Sequence, residues 1–198
     1  MRCAQNKPTM TNQEKITDWT NRIAQNSQDF RAAFGSLSHQ ELNWKPDASV
    51  WSIGQNIDHL IKINSSYFPV FEQLKNSSIK LPFTARLGFM NNFLGNFILK
   101  SVRPETRKKI KTLAVWEPIE GTIPVDILEQ FEQNQQELTA IIKESEQYLD
   151  KRSVIYSPAN KKITYTLEKA FEILTVHERR HLQQAQKVLA IYRNGRNN

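Results

Sequence analysis

The sequence predicts an all-α protein, a four-helix bundle formed by one domain. Four long segments place apolar residues at the 3.6-residue period of an amphipathic helix: residues 12–34, 52–74, 124–148 and 164–192. No convincing run alternates apolar and polar residues as a half-buried strand does, and no internal repeat is present. A chain of 198 residues is long enough to bury one substantial core. We therefore expect a bundle domain over residues 12–193, preceded by a flexible segment 1–11 and followed by a tail 194–198.

The first two predicted helices are marked by their apolar face and by a helix start. In the first, Ile16, Trp19 and Ile23 recur at the spacing that places side chains on one helix face. The second opens with Ser52, followed three residues later by Gln55, which is the spacing of a capping box. Both segments are therefore predicted to be amphipathic helices packed on a common core.

The third and fourth predicted helices are bounded by proline and glycine. Pro124 suits the first turn of the third helix, because proline lacks the amide hydrogen that the first turn leaves unpaired anyway. The fourth contains no proline or glycine between residues 164 and 192, and Gly195 lies just past its end. We expect both helices to run without a break.

The lengths of the connections predict how the helices are ordered. Residues 35–51 join the first pair and residues 149–163 join the last pair, whereas residues 75–123 separate the second helix from the third. Short connections make consecutive helices antiparallel, and a long crossover allows them to run parallel. The expected topology is therefore up-down-down-up, with the second and fourth helices antiparallel and able to face each other.

The crossover contains an apolar stretch of its own over residues 84–102. In it Leu87, Met90, Leu94 and Ile98 recur at helical spacing, with three asparagines interspersed. The stretch is shorter and more polar than the roughly 20 apolar residues of a membrane-spanning helix. We expect a packing helix or a lid rather than a membrane anchor, and its exposed phenylalanines are candidates for a homodimer contact.

The most informative segment is His177-Glu178-Arg179-Arg180-His181, in the fourth helix. Two histidines four residues apart lie one turn apart on one face, with Cβ atoms about 5–6 Å from each other, which suits a single metal ion. The segment also has the His-Glu-x-x-His pattern of zinc peptidases. Peptidases of the thermolysin or metzincin type take a third ligand downstream, but no Asp, Glu or His follows His181. We therefore set the peptidase interpretation aside and expect a third ligand from upstream.

The polar residues of this segment share the apolar face of their helix. On a helical projection, His177, Glu178 and His181 fall within the arc that leucine, isoleucine, alanine and phenylalanine occupy. A polar group buried there costs several kcal/mol unless it finds a partner. Two interpretations follow, a metal site and a purely structural hydrogen-bonded network.

The sequence contains two further histidines, and one of them is a candidate for the third ligand. His59 lies at the edge of the apolar face of the second helix and is the natural third ligand, contributed by a separate helix. The alternative for His59 is a boundary residue that hydrogen-bonds across a helix interface. His39 lies in the polar stretch Ser38-His39-Gln40-Glu41 and is expected on the solvated surface.

The net charge of +7 is concentrated in one part of the crossover. Residues 100–111 contain six Lys or Arg residues and one acidic residue, Glu105. Such a run either binds an anionic ligand or nucleic acid or forms a solvated loop. Because the sequence has no zinc-finger spacing, no P-loop, no Gly-rich dinucleotide loop and no base-stacking motif, a nucleic-acid partner is not expected.

The N-terminal segment offers little to catalysis. The single cysteine, Cys3, cannot form an intramolecular disulfide, and it precedes Met10, a second candidate for the start of translation. We therefore do not expect a catalytic thiol. No apolar signal region opens the chain. A cytoplasmic location and the absence of a membrane partner are expected.

Several of these motifs together resemble the DinB/YfiT-like superfamily. Trp44-Lys45-Pro46 and then Trp51-Ser52 precede the helix that carries His59, and Trp116-Glu117-Pro118 precedes the third helix. The late segment from His177 to Gln184 completes the set. The motifs are moderately specific as a set, and the resemblance covers most of the chain.

The resemblance implies an up-down-down-up bundle with a divalent metal ion on three histidines. Carried over to this chain, these are His59, His177 and His181, and Gln184 matches a glutamine that is common after the last histidine. Some members are transferases or isomerases that use low-molecular-weight thiols such as bacillithiol, and many have no known activity. A small-molecule substrate is implied, with a low-molecular-weight thiol as one candidate.

Three neutral imidazoles leave a divalent ion with open coordination positions, which is the arrangement of a catalytic rather than a structural site. Zinc or nickel is the leading expectation, and iron or manganese also fits because histidine donors alone do not select the metal. Glu178 is predicted to act as a general base, or else to fix the tautomer of a histidine as its hydrogen-bond partner. The leading hypothesis is a metal-dependent thiol S-transferase or hydrolase. The alternative is a non-catalytic stress-response or binding bundle with a structural or vestigial histidine cluster.

Overall fold

Seven α-helices and one β-hairpin form over residues 10–106 and 111–196, which are the residues that the computed structural model describes. The helices are α1 (Asn12–Phe34), α2 (His39–Asn43), α3 (Ile53–Lys75), α4 (Gly88–Val102), α5 (Ile127–Lys143), α6 (Glu146–Asp150) and α7 (Leu167–Arg196), and the strands are β1 (Val154–Ser157) and β2 (Asn160–Thr166). The predictions that concern Cys3 and the basic residues Arg107, Lys108 and Lys109 fall outside the described residues.

The four long helices α1, α3, α5 and α7 form the predicted bundle. Their directions follow from side chains that meet in pairs along two helices. The pairs are Trp19–Glu172 and Asn26–Glu178 between α1 and α7, Asn56–His181 and Asn64–Glu178 between α3 and α7, and Asn64–Asn134 and Lys75–Glu144 between α3 and the end of α5. Thus α1 and α7 run parallel, α3 runs opposite to α7, and α3 and α5 run parallel. The predicted up-down-down-up order is confirmed.

A layer of buried polar side chains crosses the middle of the bundle. In α1, Ile23 belongs to one apolar cluster and Phe30 to another, and the buried Asn26 lies between them. The same succession of apolar, polar and apolar residues occurs in the other long helices. The buried polar members there are His59 and Asn64 in α3, Asn134 and Gln135 in α5, and His177, Glu178 and His181 in α7. The hydrophobic core is therefore divided into two clusters by the layer that carries the candidate site residues.

The segment before α7 differs from the sequence prediction. The sequence predicts a loop over residues 149–163 and a helix over 164–192, but β1 and β2 pair there as an antiparallel hairpin with Ile155 opposite Tyr165. Both of these side chains are fully buried. Consecutive residues of β1 are buried instead of every second one, so the two-residue period that identifies a strand is not visible. As a result α7 begins three residues later than predicted, at Leu167. Its end, at Arg196, lies four residues beyond the predicted end.

The third predicted helix is split into α5 and α6. Pro124 lies ahead of α5, whose first residue is Ile127, rather than within its first turn. At the other end, the amide of Ser145 donates to the carbonyl oxygen of Ile142, only three residues back. This tighter hydrogen bond closes α5 before α6 begins at Glu146.

The long crossover carries the predicted packing helix, which is α4. Two 3₁₀ turns, Phe83–Arg86 and Ala114–Trp116, lie on either side of it. α4 packs on β2 and α7. Across residues 10–106 and 111–196, no helix combines the length and apolarity that crossing a membrane requires.

Candidate metal centre

The start of α3 places His59 within the bundle. The Ser52 hydroxyl accepts a hydrogen bond from the Gln55 amide at 3.0 Å, and the Gln55 side chain accepts one from the Ser52 amide at 3.1 Å. The predicted capping box is therefore present. It fixes the first turn of α3, so that His59 lies two turns along the helix and faces the histidines of α7.

The imidazoles of His59, His177 and His181 meet between α3 and α7. One ring nitrogen from each lies within 4.8 Å of the other two, and the Nε2 atoms of His177 and His181 are 3.0 Å apart. The exposed fractions of the three residues are 3%, 8% and 5%. The structure thus brings together the three histidines that the sequence selects. We call them the histidine cluster.

A hydrogen bond to Asn56 fixes the tautomer of His181. The side-chain nitrogen of Asn56 donates to the Ser52 carbonyl at 2.8 Å, so its side-chain oxygen is the atom that lies 2.8 Å from His181 Nδ1. That oxygen can only accept, and Nδ1 must therefore carry the proton. The lone pair of His181 is left on Nε2, the atom that faces His177.

A backbone carbonyl fixes the tautomer of His59 in the same way. His59 Nδ1 lies 2.7 Å from the carbonyl oxygen of Trp116, which accepts the Nδ1 proton and leaves the lone pair on Nε2. The Trp116 indole in turn donates to the Ser66 hydroxyl at 3.0 Å, which holds this residue against α3. Histidines that bind metal ions characteristically donate their second ring N–H to a carbonyl or carboxylate in this manner.

Burial keeps all three imidazoles neutral. It lowers the pKa of His59 to about 4, against the smaller opposing effects of the Trp116 carbonyl and of Asp58. Burial also lowers the pKa of His177 and of His181 well below the usual range, and the neighbouring histidines act in the same direction. Neutral imidazole is the form that coordinates a metal ion, so no proton has to be removed at neutral pH.

The donor set fits a divalent ion. Two Nε2 atoms 3.0 Å apart repel each other through their lone pairs unless a proton or a cation lies between them. Three neutral nitrogen donors suit borderline divalent ions such as zinc and nickel. They also leave coordination positions open, which distinguishes catalytic from closed structural sites.

Trp51 covers one side of the histidine cluster. Its ring centroid lies 4.8 Å from that of His59 and 5.9 Å from that of His181, with the second pair nearly parallel at 22°. Trp51 is half-buried and so forms part of the boundary between the cluster and solvent. The sequence analysis uses Trp51 only as part of the family motif. Its position directly before the Ser52 cap nevertheless indicates that it lies near the start of α3.

Two partners of the cluster are missed by the sequence analysis. Asn56 precedes His59 by three residues and therefore shares its helix face. This spacing could have identified Asn56 as a neighbour of the cluster from the sequence alone. The contact from Trp116 uses its backbone carbonyl, which any residue at that position provides. No side-chain pattern can reveal such a contact.

Glu178 lies in the interior of the bundle and is fully buried. Its Oε2 accepts a hydrogen bond from Asn26 of α1 at 3.0 Å, and its Oε1 accepts one from Asn64 of α3 at 3.2 Å. Burial raises the pKa of the Glu178 carboxyl to about 7, although the amide donors act to lower it. The buried Glu178 carboxyl therefore retains its proton to a higher pH than an exposed glutamate does.

The amides around Glu178 continue into α5. The Asn64 side chain also donates to Asn134 at 3.0 Å, and Asn134 donates to the Ser65 hydroxyl at 2.9 Å. Gln135 is buried, and neither polar atom of its side chain forms a hydrogen bond to the described residues. Its amide nevertheless lies close enough to lower the pKa of Glu178. We call Glu178 and these neighbours the carboxylate network.

Two residues considered in the sequence analysis lie outside both groups. His39 is exposed in α2, as predicted, but its Nε2 lies 2.7 Å from the carbonyl oxygen of Ile123. Gln184, which matches the family pattern, is partly exposed and follows His181 by three residues. Neither belongs to the histidine cluster.

Arg180 ties the segment after α4 to the part of α7 that carries the cluster. Its Nη1 donates to the carbonyl oxygens of Arg103 at 2.9 Å and Thr106 at 3.0 Å. Arg180 therefore holds this segment against α7.

A cleft lies on the side of α7 opposite the histidine cluster. It encloses about 1160 Å³, and α7 contributes Thr175, Val176 and Arg179 to it rather than the histidines. Its charged lining residues are Arg22, Asp29, Lys100, Arg103, Glu105 and Arg179. Arg179 pairs with Asp29, and Arg22 pairs with Glu172 at 2.9 Å. Much of the charge of this cleft is therefore compensated, and the cleft does not contain the candidate metal ligands.

Comparison with known proteins identifies the family. The model of the DinB superfamily matches residues 22–185, a range that contains the whole histidine cluster. The chain belongs to the DinB superfamily. Within this superfamily, a solved structure similar to the chain is that of YfiT from Bacillus subtilis, described as "a probable metal-dependent hydrolase with an unusual four-helix bundle topology".

The likeness to YfiT extends over nearly the whole of both proteins. It covers 96% of this chain and 93% of the YfiT chain, with a TM-score of 0.56 and 14% sequence identity. At this identity the likeness establishes the DinB-type bundle fold and not a shared activity. The search of curated proteins found no match.

Proposed function

We propose that the protein is a divalent-metal-dependent enzyme whose ion is held by His59, His177 and His181. The observation that carries the proposal is the pair of hydrogen bonds at Nδ1, from His59 to Trp116 and from His181 to Asn56. They leave two Nε2 lone pairs in a buried group of three neutral imidazoles. Buried polar groups without partners are costly, so this arrangement is best explained by a cation that completes it.

The reaction that we propose first is hydrolysis of a small-molecule substrate. Hydrolysis is favoured because the similar structure of YfiT is described as that of a metal-dependent hydrolase. A divalent ion, when bound here, supplies Lewis acidity that lowers the pKa of a water or thiol that reaches it. Transfer to a low-molecular-weight thiol, of the bacillithiol type, is the second candidate, because a cluster of neutral nitrogen donors without carboxylates also suits a thiolate.

In this proposal the residues around the cluster orient its donors and limit solvent. Asn56 and the Trp116 carbonyl hold two of the imidazole rings in one tautomer, and Trp51 covers the cluster on one side. Zinc or nickel is the ion that we propose first, with iron or manganese as alternatives. The homodimer and the cytoplasmic location stay predictions from the sequence.

Glu178 is our candidate for the residue that accepts a proton. A pKa of about 7 matches what a general base needs at neutral pH. Its contacts with Asn26 and Asn64 equally suit a residue that positions α7 from within the core. Turnover of Glu178→Gln separates the two roles. Loss of a general base lowers the rate by about 10²–10⁴-fold with the metal retained, whereas loss of a positioning residue lowers metal content or stability together with the rate.

The proposal is tested by metal analysis followed by an activity screen. We expect about one divalent ion per chain in the purified protein, by analogy with single-ion histidine sites. Metal-loaded and chelator-treated protein are then compared on ester and amide substrates and on thiol transfer. Metal-dependent turnover in either class supports the enzyme. Bound metal without turnover in any class favours a non-catalytic binding bundle. Absence of metal overturns the metal-dependent enzyme and favours the alternative in which the histidine cluster is structural or vestigial.

A further inference from the structure

The outer face of α4 exposes a row of phenylalanines. Phe89, Phe93 and Phe97 follow one another at four-residue spacing and are 69%, 66% and 65% exposed. Phe83, in the 3₁₀ turn just before α4, is 74% exposed. Together these four rings, which we call the phenylalanine face, present on the order of 500 Å² of apolar surface, which is the size of the largest and often functional apolar patch of a soluble monomer.

The opposite face of α4 is packed tightly, so the phenylalanines are held outward. At Gly95 an added Cβ would lie 2.6 Å from Lys169 Cγ and 3.1 Å from Tyr165 Cβ, and only glycine allows this approach to β2 and α7. Asn91 bonds to the Ala85 carbonyl and accepts from Thr164 at 2.6 Å. With this side anchored, α4 cannot turn to bury the phenylalanine face in the bundle.

The chain segment that carries the phenylalanine face is basic, and its first acidic residue, Glu105, comes after Arg103. From residue 76 to residue 104 the chain contains four basic residues, Lys80, Arg86, Lys100 and Arg103, and no Asp or Glu. All four are exposed. Lys100 follows Phe97 by three residues and therefore lies on the same side of α4. The Arg86 guanidinium lies over the Phe83 ring at 5.5 Å.

We propose that α4 and the turn before it dock on the surface of an anionic lipid bilayer. The four phenyl rings enter the boundary between headgroups and acyl chains, and the four basic side chains meet lipid phosphates. An apolar helix face flanked by lysine and arginine is the feature that binds helices to membrane surfaces. With 15 residues α4 lies along the surface, since a span takes about 20.

Charge argues against a second copy of the chain as the occupant. Pairing two phenylalanine faces brings two sets of exposed cations together, without an acidic residue between residues 76 and 104 to neutralise them. An anionic surface has the complementary charge. The sequence analysis expects no membrane partner, and this proposal departs from that expectation for surface binding only. A homodimer becomes one outcome of the test.

The test is co-sedimentation of the full chain with vesicles. We expect binding to vesicles that contain phosphatidylglycerol, weaker binding to pure phosphatidylcholine, and loss of binding as salt is raised. Replacing Phe89, Phe93 and Phe97 with serine is expected to reduce the bound fraction at least about tenfold. The matched control replaces Val125 and Ile191 with serine. These side chains are 72% and 50% exposed and lie outside the phenylalanine face, so binding is expected to stay unchanged.

A second pair of variants tests the charges. Lys100→Glu is expected to weaken binding to phosphatidylglycerol vesicles, whereas Lys187→Glu, at an exposed position of α7, is not. The melting temperature and metal content of every variant show whether the bundle is intact. The proposal is overturned if the wild-type chain does not co-sediment with anionic vesicles, or if control and test variants lose binding equally. It is also overturned if light scattering shows a dimer that the serine variant dissociates while vesicles remain unbound.

Discussion

The histidine cluster and the carboxylate network occupy the same polar layer, yet their hydrogen bonds are arranged in opposite ways. In the cluster, His59 and His181 donate hydrogen bonds through Nδ1 to Trp116 and Asn56, so the lone pair of each ring is on Nε2. In the network, both oxygens of Glu178 already accept from Asn26 and Asn64. His177 and Glu178 are adjacent in α7, so neighbouring positions of one helix serve the two arrangements.

The comparison shows what burial of a polar group does and does not imply. Both groups are buried in the apolar core, and burial alone predicts a partner without saying which kind. Where amide donors fill the acceptors, the partner is the protein itself. Where imidazole nitrogens face one another, as in the histidine cluster, the partner that we propose is a cation. The two arrangements therefore make different predictions when side chains are removed or protonated.

The largest expected effect is loss of the metal from the histidine cluster. In His177→Ala and in His181→Ala, metal content is expected to fall from about one ion per chain to almost none, because two imidazoles seldom hold a divalent ion against dilution. Elemental analysis after desalting measures it, with His39→Ala as the matched control. Full occupancy in both cluster variants contradicts the site.

The next effect is a difference in pH dependence between the two groups in metal-free protein. The pKa of His59 is about 4 in the folded chain and about 6.5 when unfolded, so its contribution to stability is complete above pH 6.5 and is lost as pH falls towards 4. Glu178 acts in the opposite sense. Its pKa is about 7 in the folded chain against 4.5, so its contribution is complete below pH 4.5 and is lost as pH rises to 7.

The contributions of His59 and Glu178 to stability change with pH in opposite directions. Removing the carboxyl of Glu178 therefore makes the pH dependence of the histidines easier to observe. In Glu178→Gln, metal-free protein is expected to lose stability on acidification from pH 7 to 4.5 more steeply than wild type, by about 3 kcal/mol for a shift of this size. Urea unfolding at several pH values, with chelator present, measures the difference. Parallel profiles for the two proteins would show that Glu178 does not carry a raised pKa.

A smaller effect is expected from the hydrogen bond that orients His181. Asn56→Ala removes the acceptor of the Nδ1 proton but leaves all three imidazoles in place. Such partners of metal-binding histidines typically contribute about 10–100-fold in metal affinity. Competition with a chromophoric chelator measures this change, and unchanged affinity would mean that the ring is held by packing against Trp51 alone.

The sequence predicts the bundle and the cluster well, for a physical reason. Helical periodicity is a repeated signal along 20 or more residues, and connection lengths restrict how four such helices can be ordered. His177 and His181 are related by helix geometry, and His59 is found because it shares an apolar face. The topology and the meeting of these histidines therefore follow from patterns that the amino-acid sequence itself carries.

The features that the sequence does not reveal depend on contacts without a pattern. The hairpin of β1 and β2 buries consecutive residues, so the two-residue period of a strand does not show in the sequence. The backbone carbonyl of Trp116 bonds His59 whatever side chain stands at that position. The placement of Glu178 is a third case. A helical projection puts it on the apolar face beside the histidines, but only the positions of α1 and α3 show that Asn26 and Asn64 reach it.

The smallest expected effect is at His39, which tests whether a specific contact at the surface matters. Its Nε2 lies 2.7 Å from the Ile123 carbonyl, a contact that the sequence does not predict. The Asn43 side chain also donates to this carbonyl, at 3.3 Å, so the oxygen keeps a partner when His39 is removed. His39→Ala is therefore expected to change the free energy of unfolding by no more than about 0.5 kcal/mol and to leave the metal content unchanged. Urea unfolding and elemental analysis check both. A large loss of stability would mean that Asn43 cannot hold α2 on Ile123 alone, and a loss of metal would move the third ligand from His59 to His39.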